Sequence, residues 1–125
     1  MDVRNKIATG QAAEKLACSY LEARGLQLLE RNYRCLRGEI DLIMQDRDDI
    51  VIVEVRTRNN PNYGSAIESV NFTKQKKIIA AATYYLYQKN WLDKVNCRFD
   101  IIGISYAGLE ANLEWIRDAF PADNF

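Results

Sequence analysis

The chain contains no histidine, and that absence removes more chemistry than any other feature of its composition. Ser–His and Cys–His nucleophiles, imidazole-ligated zinc and an imidazole general base are all excluded together. Any catalysis must rest on carboxylates, Lys, Arg, Tyr or a hard metal ion. Cysteine is scarce as well. Cys18, Cys35 and Cys97 are odd in number, widely spaced and form no C-x-x-C pair, which argues against a disulfide framework or a zinc site and for reduced structural thiols. No apolar run approaches the ~20 residues that cross a bilayer. No apolar N-terminal segment precedes a cleavage signal, so a cytoplasmic location is the default expectation. Charge of one sign is not in excess, because Lys+Arg and Asp+Glu each total 17. The whole-molecule balance therefore does not point to a polyanion, and local patches must decide. At 125 residues, 48% apolar and 27% charged, the chain reads as one globular domain spanning 1–125.

What is present centres on Arg37 to Arg58, R-G-E-I-D-L-I-M-Q-D-R-D-D-I-V-I-V-E-V-R-T-R. It reads as two strands joined by a charged turn at Asp46–Asp49. Alternation puts Ile40, Leu42 and Met44 on one face of the first strand, and Glu39, Asp41 and Ile43 on the other, with Glu39 nearer the strand edge. In the second strand Val51, Val53 and Val55 share one face, and Ile52, Glu54 and Arg56 share the opposite one. Ile50 to Val55 is a β-branched run of the kind covered on both sides, broken only by Glu54. A carboxylate there has to be paired, protonated or bound to a cation. Paired as a hairpin, the strands let Asp41, Glu54 and Arg56 meet.

The remaining elements follow from periodicity. A helix is expected from Thr9–Gly10 to about Arg24, with Gly25 as its C-cap and Glu14 bordering the apolar stripe. Leu26–Tyr33 reads as a strand, Arg34–Gly38 as a turn, and Arg58–Ser65 as a loop broken by Pro61 and Gly64. A second helix is expected over Thr73–Asn90, capped by Thr73 or Asn71. Lys74, Lys76 and Lys77 crowd its first turn, either as a solvated charge run or as an anion-facing edge. Cys97–Ser105 reads as a strand ended by Gly103–Gly108, and Ala111–Ile116 as a strand or short helix, with alternation favouring the strand. The order helix, three strands, helix, two strands implies a mixed sheet with helices on both faces, an α/β fold.

Asp41, Glu54 and Arg56 form D-x12-E-V-R. Two carboxylates on facing strands suit Mg²⁺ or Mn²⁺, with the Val55 carbonyl as a third ligand and water and phosphate completing the shell. A cation at 56 would stabilise charge developing on a scissile phosphate. The same spacing serves equally as a cross-strand ion pair. G-Q-A-A-E-K-L-A, Y-L-E-A-R-G-L, E-R-N-Y-R, G-E-I-D-L-I, I-V-I-V-E-V-R-T-R, Y-G, S-V-N-F-T-K-Q-K-K, R-F-D-I-I and D-A-F run in order from about Gly10 to Phe120. Together they resemble the YraN-like family of predicted endonucleases. That family is similar to archaeal Holliday-junction resolvases and belongs to the restriction-endonuclease-like superfamily, whose active-site pattern is an acid followed by D/E-x-K.

The resemblance implies a metal-dependent phosphodiesterase fold acting on DNA. Glu14 would be the helix acid, Asp41 and Glu54 the metal ligands, and Arg56 the cation where the family usually carries Lys. Arg stays charged and cannot act as a general base, so it serves if the cation only stabilises charge or orients water, and impairs the site if proton transfer is needed. Gln75 and Lys76 fall where the superfamily often places an auxiliary polar residue. Arg34, Arg37, Arg58, Lys74 and Lys77 are candidates for the phosphate backbone. No sequence-reading module is visible, so branched or non-specific DNA is the expected partner, and a symmetric homodimer is the economical way to act on two strands. The alternative is an inactive nucleic-acid- or protein-binding module on the same fold, with the acids held in an ion-pair network by Arg56.

Overall fold

The computed structural model describes residues 3–58 and 66–122, and the side chains of the first helix from Gly10 onward. The chain runs α1 (Val3–Glu22), β1 (Gln27–Cys35), β2 (Gly38–Asp46), β3 (Asp49–Arg58), α2 (Phe72–Gln88), β4 (Cys97–Ala107) and β5 (Glu110–Ile116). The strands form one mixed sheet in the order β1-β2-β3-β4-β5. Only β3 and β4 pair in parallel, and α2 makes the crossover that such a pair requires. This is the α/β class expected from the element order, compatible with a restriction-endonuclease-like arrangement. No helix among the described residues is long and apolar enough to cross a membrane.

Each face of the sheet carries its own core. Ile43, Ile52, Ile101 and Phe99 pack with Ile78, Ala82 and Tyr85 of α2. Leu42, Val51, Val53 and Ile102 pack with Ala17, Cys18 and Leu21 of α1. Coverage on both sides explains why Ile50 to Val53 are all buried.

The ends of α1 and α2 follow local rules. Gly25 takes φ +97, and the Leu26 and Gly25 N–H groups donate to Leu21 O and Glu22 O at 3.1 Å each, a Schellman close. Leu26 then packs into the α1-side core beside Leu21. Asn71 caps α2, its side chain accepting the Lys74 N–H at 2.9 Å. Thr73 therefore lies inside the helix, one residue beyond its observed start. β4 continues through Gly103 to Ala107 rather than ending there, and the C-terminal segment is the strand β5. Arg58 closes β3. The remainder of the expected loop, with Pro61 and Gly64, lies outside the described residues.

The pairing is irregular at the Leu28–Glu30 step of β1, and strict alternation fails in β2 as well. Ile40 packs with Ile43 on the α2 side, whereas Leu42 and Met44 pack on the α1 side. The β2–β3 ladder stops at Leu42–Val53. One step further, Asp41 Oδ2 accepts the Val55 N–H at 2.8 Å, a side chain standing where a backbone carbonyl would continue the ladder. β2 therefore changes face at Asp41.

A second charge cluster runs along the α1 face from the β2–β3 turn to Asp100, which pairs with Val53 of β3. Asp100, 1% exposed, accepts from Arg98 Nε (3.1 and 3.2 Å), Trp115 Nε1 (3.0 Å) and the Asp118 N–H (2.9 Å). Arg98 also reaches Asp46 at 3.0 Å and Asp49 at 3.7 Å. Removing one member of a buried pair leaves the other uncompensated, which typically costs ~3–5 kcal/mol. Asp100→Ala is accordingly expected to lower the free energy of unfolding by about 3 kcal/mol or more, read from the midpoint of a urea titration.

Candidate metal and phosphate site

Where β2 and β3 part, their side chains open a hollow of about 430 Å³ lined by Gly38, Glu39, Asp41, Glu54, Arg56, Lys74, Lys77 and Ile78. Asp41 comes from the face change in β2. Glu54 and Arg56 follow Ile50 and Ile52 by twos along β3, which aims them toward α2. Lys74 and Lys77 stand three apart on α2, so they share one helix face. The hollow also depends on Gly38. A Cβ there would lie 2.8 Å from the Lys77 carbonyl oxygen, so only glycine lets β2 begin this close to α2.

The electrostatics are those of an incompletely satisfied cluster. Glu54 is 6% exposed, and its Oε1 has no hydrogen-bond partner. Its Oε2 meets Arg56 Nη2 at 3.4 Å, a long contact, while the buried Arg56 Nε is also without a partner. Burial, and then the neighbouring Asp41 carboxylate, push Glu54 up to about 8, with Arg56 opposing. Burial likewise raises Asp41, opposed by the Val55 N–H and Arg56. Two acids that resist ionisation together, one with an unpartnered oxygen, make a donor set that a divalent cation fits.

Among the described residues no group of three or more His, Cys, Asp or Glu side chains could hold a metal ion. Of the acids lining the hollow, Glu39 is exposed and turned to Arg34, which leaves Asp41 and Glu54 as the pair facing each other. That matches Mg²⁺ or Mn²⁺, which keep several waters and share phosphate oxygens.

Other residues singled out in the sequence are spread around this hollow. Glu14 lies outside it, lining a neighbouring hollow of about 390 Å³ with Gln11, Lys15, Arg31 and Asn32. It is nonetheless close enough to feel Asp41: burial first, then the Asp41 charge, raises its pKa, and Arg31 and Arg34 lower it. Gln75 is turned away, its Nε2 donating to Val70 O at 3.0 Å, and so helps hold the turn before α2. Lys76 is exposed, with its Nζ 5.4 Å from the centre of the Phe72 ring. Of the three lysines in this turn, Lys74 and Lys77 line the hollow and Lys76 does not. Arg34 pairs loosely with Glu39 at 3.7 Å on the surface. The Arg37 guanidinium is 5.5 Å from the Tyr84 ring centre. Arg58 lines a separate hollow with Gly103, Asn112 and Glu114. The Arg98–Asp100 cluster has no signal in the sequence, because its acids come from three separate strands and no local spacing marks their meeting.

The raised acids set a pH dependence. The folded protein keeps a proton on Glu54 up to about pH 8, whereas the unfolded chain releases it near 4.5. The folded state therefore binds more protons between those values, and stability falls as pH rises through that window. Without divalent cation, the melting temperature should fall from pH 5 to pH 8. In Glu54→Gln most of that fall should vanish, leaving the variant the more stable protein at pH 8 by roughly 3 °C or more. Thermal melts across pH would check this.

With the geometry in place, comparison with other proteins fixes the kinship. The model for "Uncharacterised protein family UPF0102" matches residues 13–104, a span that holds Glu14, Asp41, Glu54 and Arg56. A UPF0102 protein of Nitrosococcus oceani is 48% identical over 115 residues, which is 92% of this chain and 93% of that one. One from Stutzerimonas stutzeri is 46% identical, covering 92% of this chain and 96% of its own. One from Pseudomonas putida is 45% identical, covering 89% and 90%. These matches span nearly the whole sheet and both helices, and they agree with the family that the motifs resemble. The chain belongs to the UPF0102, or YraN-like, family.

Proposed function

We propose that this protein is a Mg²⁺- or Mn²⁺-dependent DNA endonuclease that acts on branched DNA or without sequence preference. The observation that carries the reading is the shared hollow. Asp41 and Glu54 enter it from adjacent strands, Glu54 Oε1 is buried without a partner, and Arg56, Lys74 and Lys77 line the same space. Asp41 and Glu54 would hold the metal ion, with the Val55 carbonyl as a further ligand. Bound there, the ion would supply Lewis-acid polarisation of a phosphate oxygen and a more acidic water. Lys74 and Lys77 would anchor phosphates without reading bases. Arg56 would stabilise charge on the phosphate oxygens as water adds to phosphorus and the deoxyribose oxygen leaves. It cannot take up the water's proton, because its guanidinium stays charged. Arg34 and Arg37 would extend the phosphate track along the β1–β2 turn, and Arg58 would continue it past β3.

A second reading draws on one contact. Arg56 Nη2 already faces Glu54 Oε2 at 3.4 Å, so the acids would persist as an ion-pair network in a non-catalytic nucleic-acid- or protein-binding module. The two readings part on metal, since a ligand that binds only the folded state stabilises it by mass action.

The deciding experiment measures cleavage of branched, single-stranded and duplex DNA with Mn²⁺, beside melts with and without the ion. Wild type should cleave and gain stability. Glu54→Gln and Asp41→Asn should each lose about 100-fold or more in rate, and Arg56→Lys should retain activity where Arg56→Met does not. An inert wild type that Mn²⁺ leaves unstabilised, with Arg56→Lys equally inert, sinks the nuclease in favour of the binding module.

A further inference from the structure

One residue on β1 has a backbone that strands rarely adopt. Asn32 takes φ +51 in the middle of β1. That is the left-handed region, which Asn tolerates better than most L-residues but seldom enters inside a strand. Its place in the register is specific. Arg31 pairs with Leu42 and Tyr33 pairs with Ile40, so Asn32 stands directly across from Asp41.

Both strands change face at this pair. Leu42 belongs to the α1-side core and Ile40 to the α2-side core. On β1, Tyr33 packs toward α2, while Arg31 Nη2 points toward the α1 residue Cys18 at 4.0 Å. The left-handed residue on β1 and the face change on β2 thus form a single local twist, and that twist delivers Asp41 to the carboxylate hollow.

The Asn32 side chain has a second engagement. With the amide nitrogen turned to the carboxylate, it donates to Glu14 Oε1 and Oε2 at 2.9 Å each, whereas the reverse orientation would set oxygen against oxygen. Asn32 is therefore tied to both acids of interest, standing opposite Asp41 in the register and bonding Glu14 through its side chain. Strained backbone held by its surroundings is commonest at functional sites.

We propose that Asn32 is a positioning residue, its left-handed backbone setting the face on which Asp41 emerges and its amide fixing Glu14 beside it. The functional half of this inference rests on the nuclease reading above; the structural half does not. Asn32→Gly keeps the left-handed backbone and removes the amide. Asn32→Ala removes the amide and disfavours that backbone, so the pair separates the two roles.

The structural readout is hydrogen exchange at the Val55 amide, which donates to Asp41 Oδ2 and needs no metal. Relative to the α2 amides, Asn32→Ala should lose about tenfold in Val55 protection, and Asn32→Gly should stay within about threefold of wild type. Both variants should raise the Mn²⁺ concentration at half-maximal thermal stabilisation about tenfold, as losses of outer-shell partners do. Equal Val55 protection in wild type and Asn32→Ala overturns the proposal whatever the cleavage assays give. So does an unchanged Mn²⁺ midpoint in both variants. Asn32→Ser takes the place of the alanine variant if that one fails to fold. A wild type that ignores Mn²⁺ removes the nuclease reading, and the Val55 comparison then decides the role of Asn32 alone.

Discussion

The hydrogen bond from the Val55 N–H to Asp41 Oδ2 is the contact on which the site depends. It puts a carboxylate beyond the last pair of the β2–β3 ladder, Leu42–Val53, where regular pairing ends. Around that point lie Glu54, Arg56 and the lysine-bearing face of α2. A regular ladder would have buried Asp41 against its neighbour strand or turned it to solvent. The departure from regular pairing creates a cavity with charge in it.

The two faces of the sheet solve the same problem differently. On the α1 side Asp100 is saturated, with Arg98, Trp115 and the Asp118 N–H all donating to it. One register step away, on the α2 side, Glu54 Oε1 and Arg56 Nε are buried and unpartnered. Buried polar groups are ordinarily satisfied, so one saturated cluster and one deficient cluster in the same small fold imply a division of labour. The saturated cluster stabilises the sheet. The deficient one costs stability and leaves polar atoms open to a ligand.

Much of this was legible in the chain. Periodicity located both helices and four strands and favoured a strand for the fifth, whereas the turn expected over Arg34–Gly38 is shorter, with β1 running to Cys35 and β2 starting at Gly38. Gly25 announced the end of α1 because only a residue free to adopt a left-handed backbone closes a helix that way cheaply. Glu54 stood out because it interrupts a β-branched run. Alternation misled at Ile40 and Leu42, since it assumes an unbroken pleat and the cause of the break lies on the opposite strand at Asn32. The separation of Lys74 and Lys77 from Lys76 was equally hidden. Which lysines meet the carboxylates depends on the rotation of α2, and the close approach of Gly38 to the Lys77 backbone helps set that docking.

The hairpin that carries the acids also bears on how the molecule forms. Asp41 and Val55 are 14 residues apart, whereas Arg98 and Asp46 are separated by 52. Closing the shorter loop costs less chain entropy, so the contact beneath the site belongs to the local pairing that β2 and β3 make by themselves. The Arg98–Asp100 cluster forms only when α2 has crossed over and delivered β4. Loop-closure entropy thus favours an order of assembly in which the strands that bear the carboxylates meet before the cluster that locks the sheet.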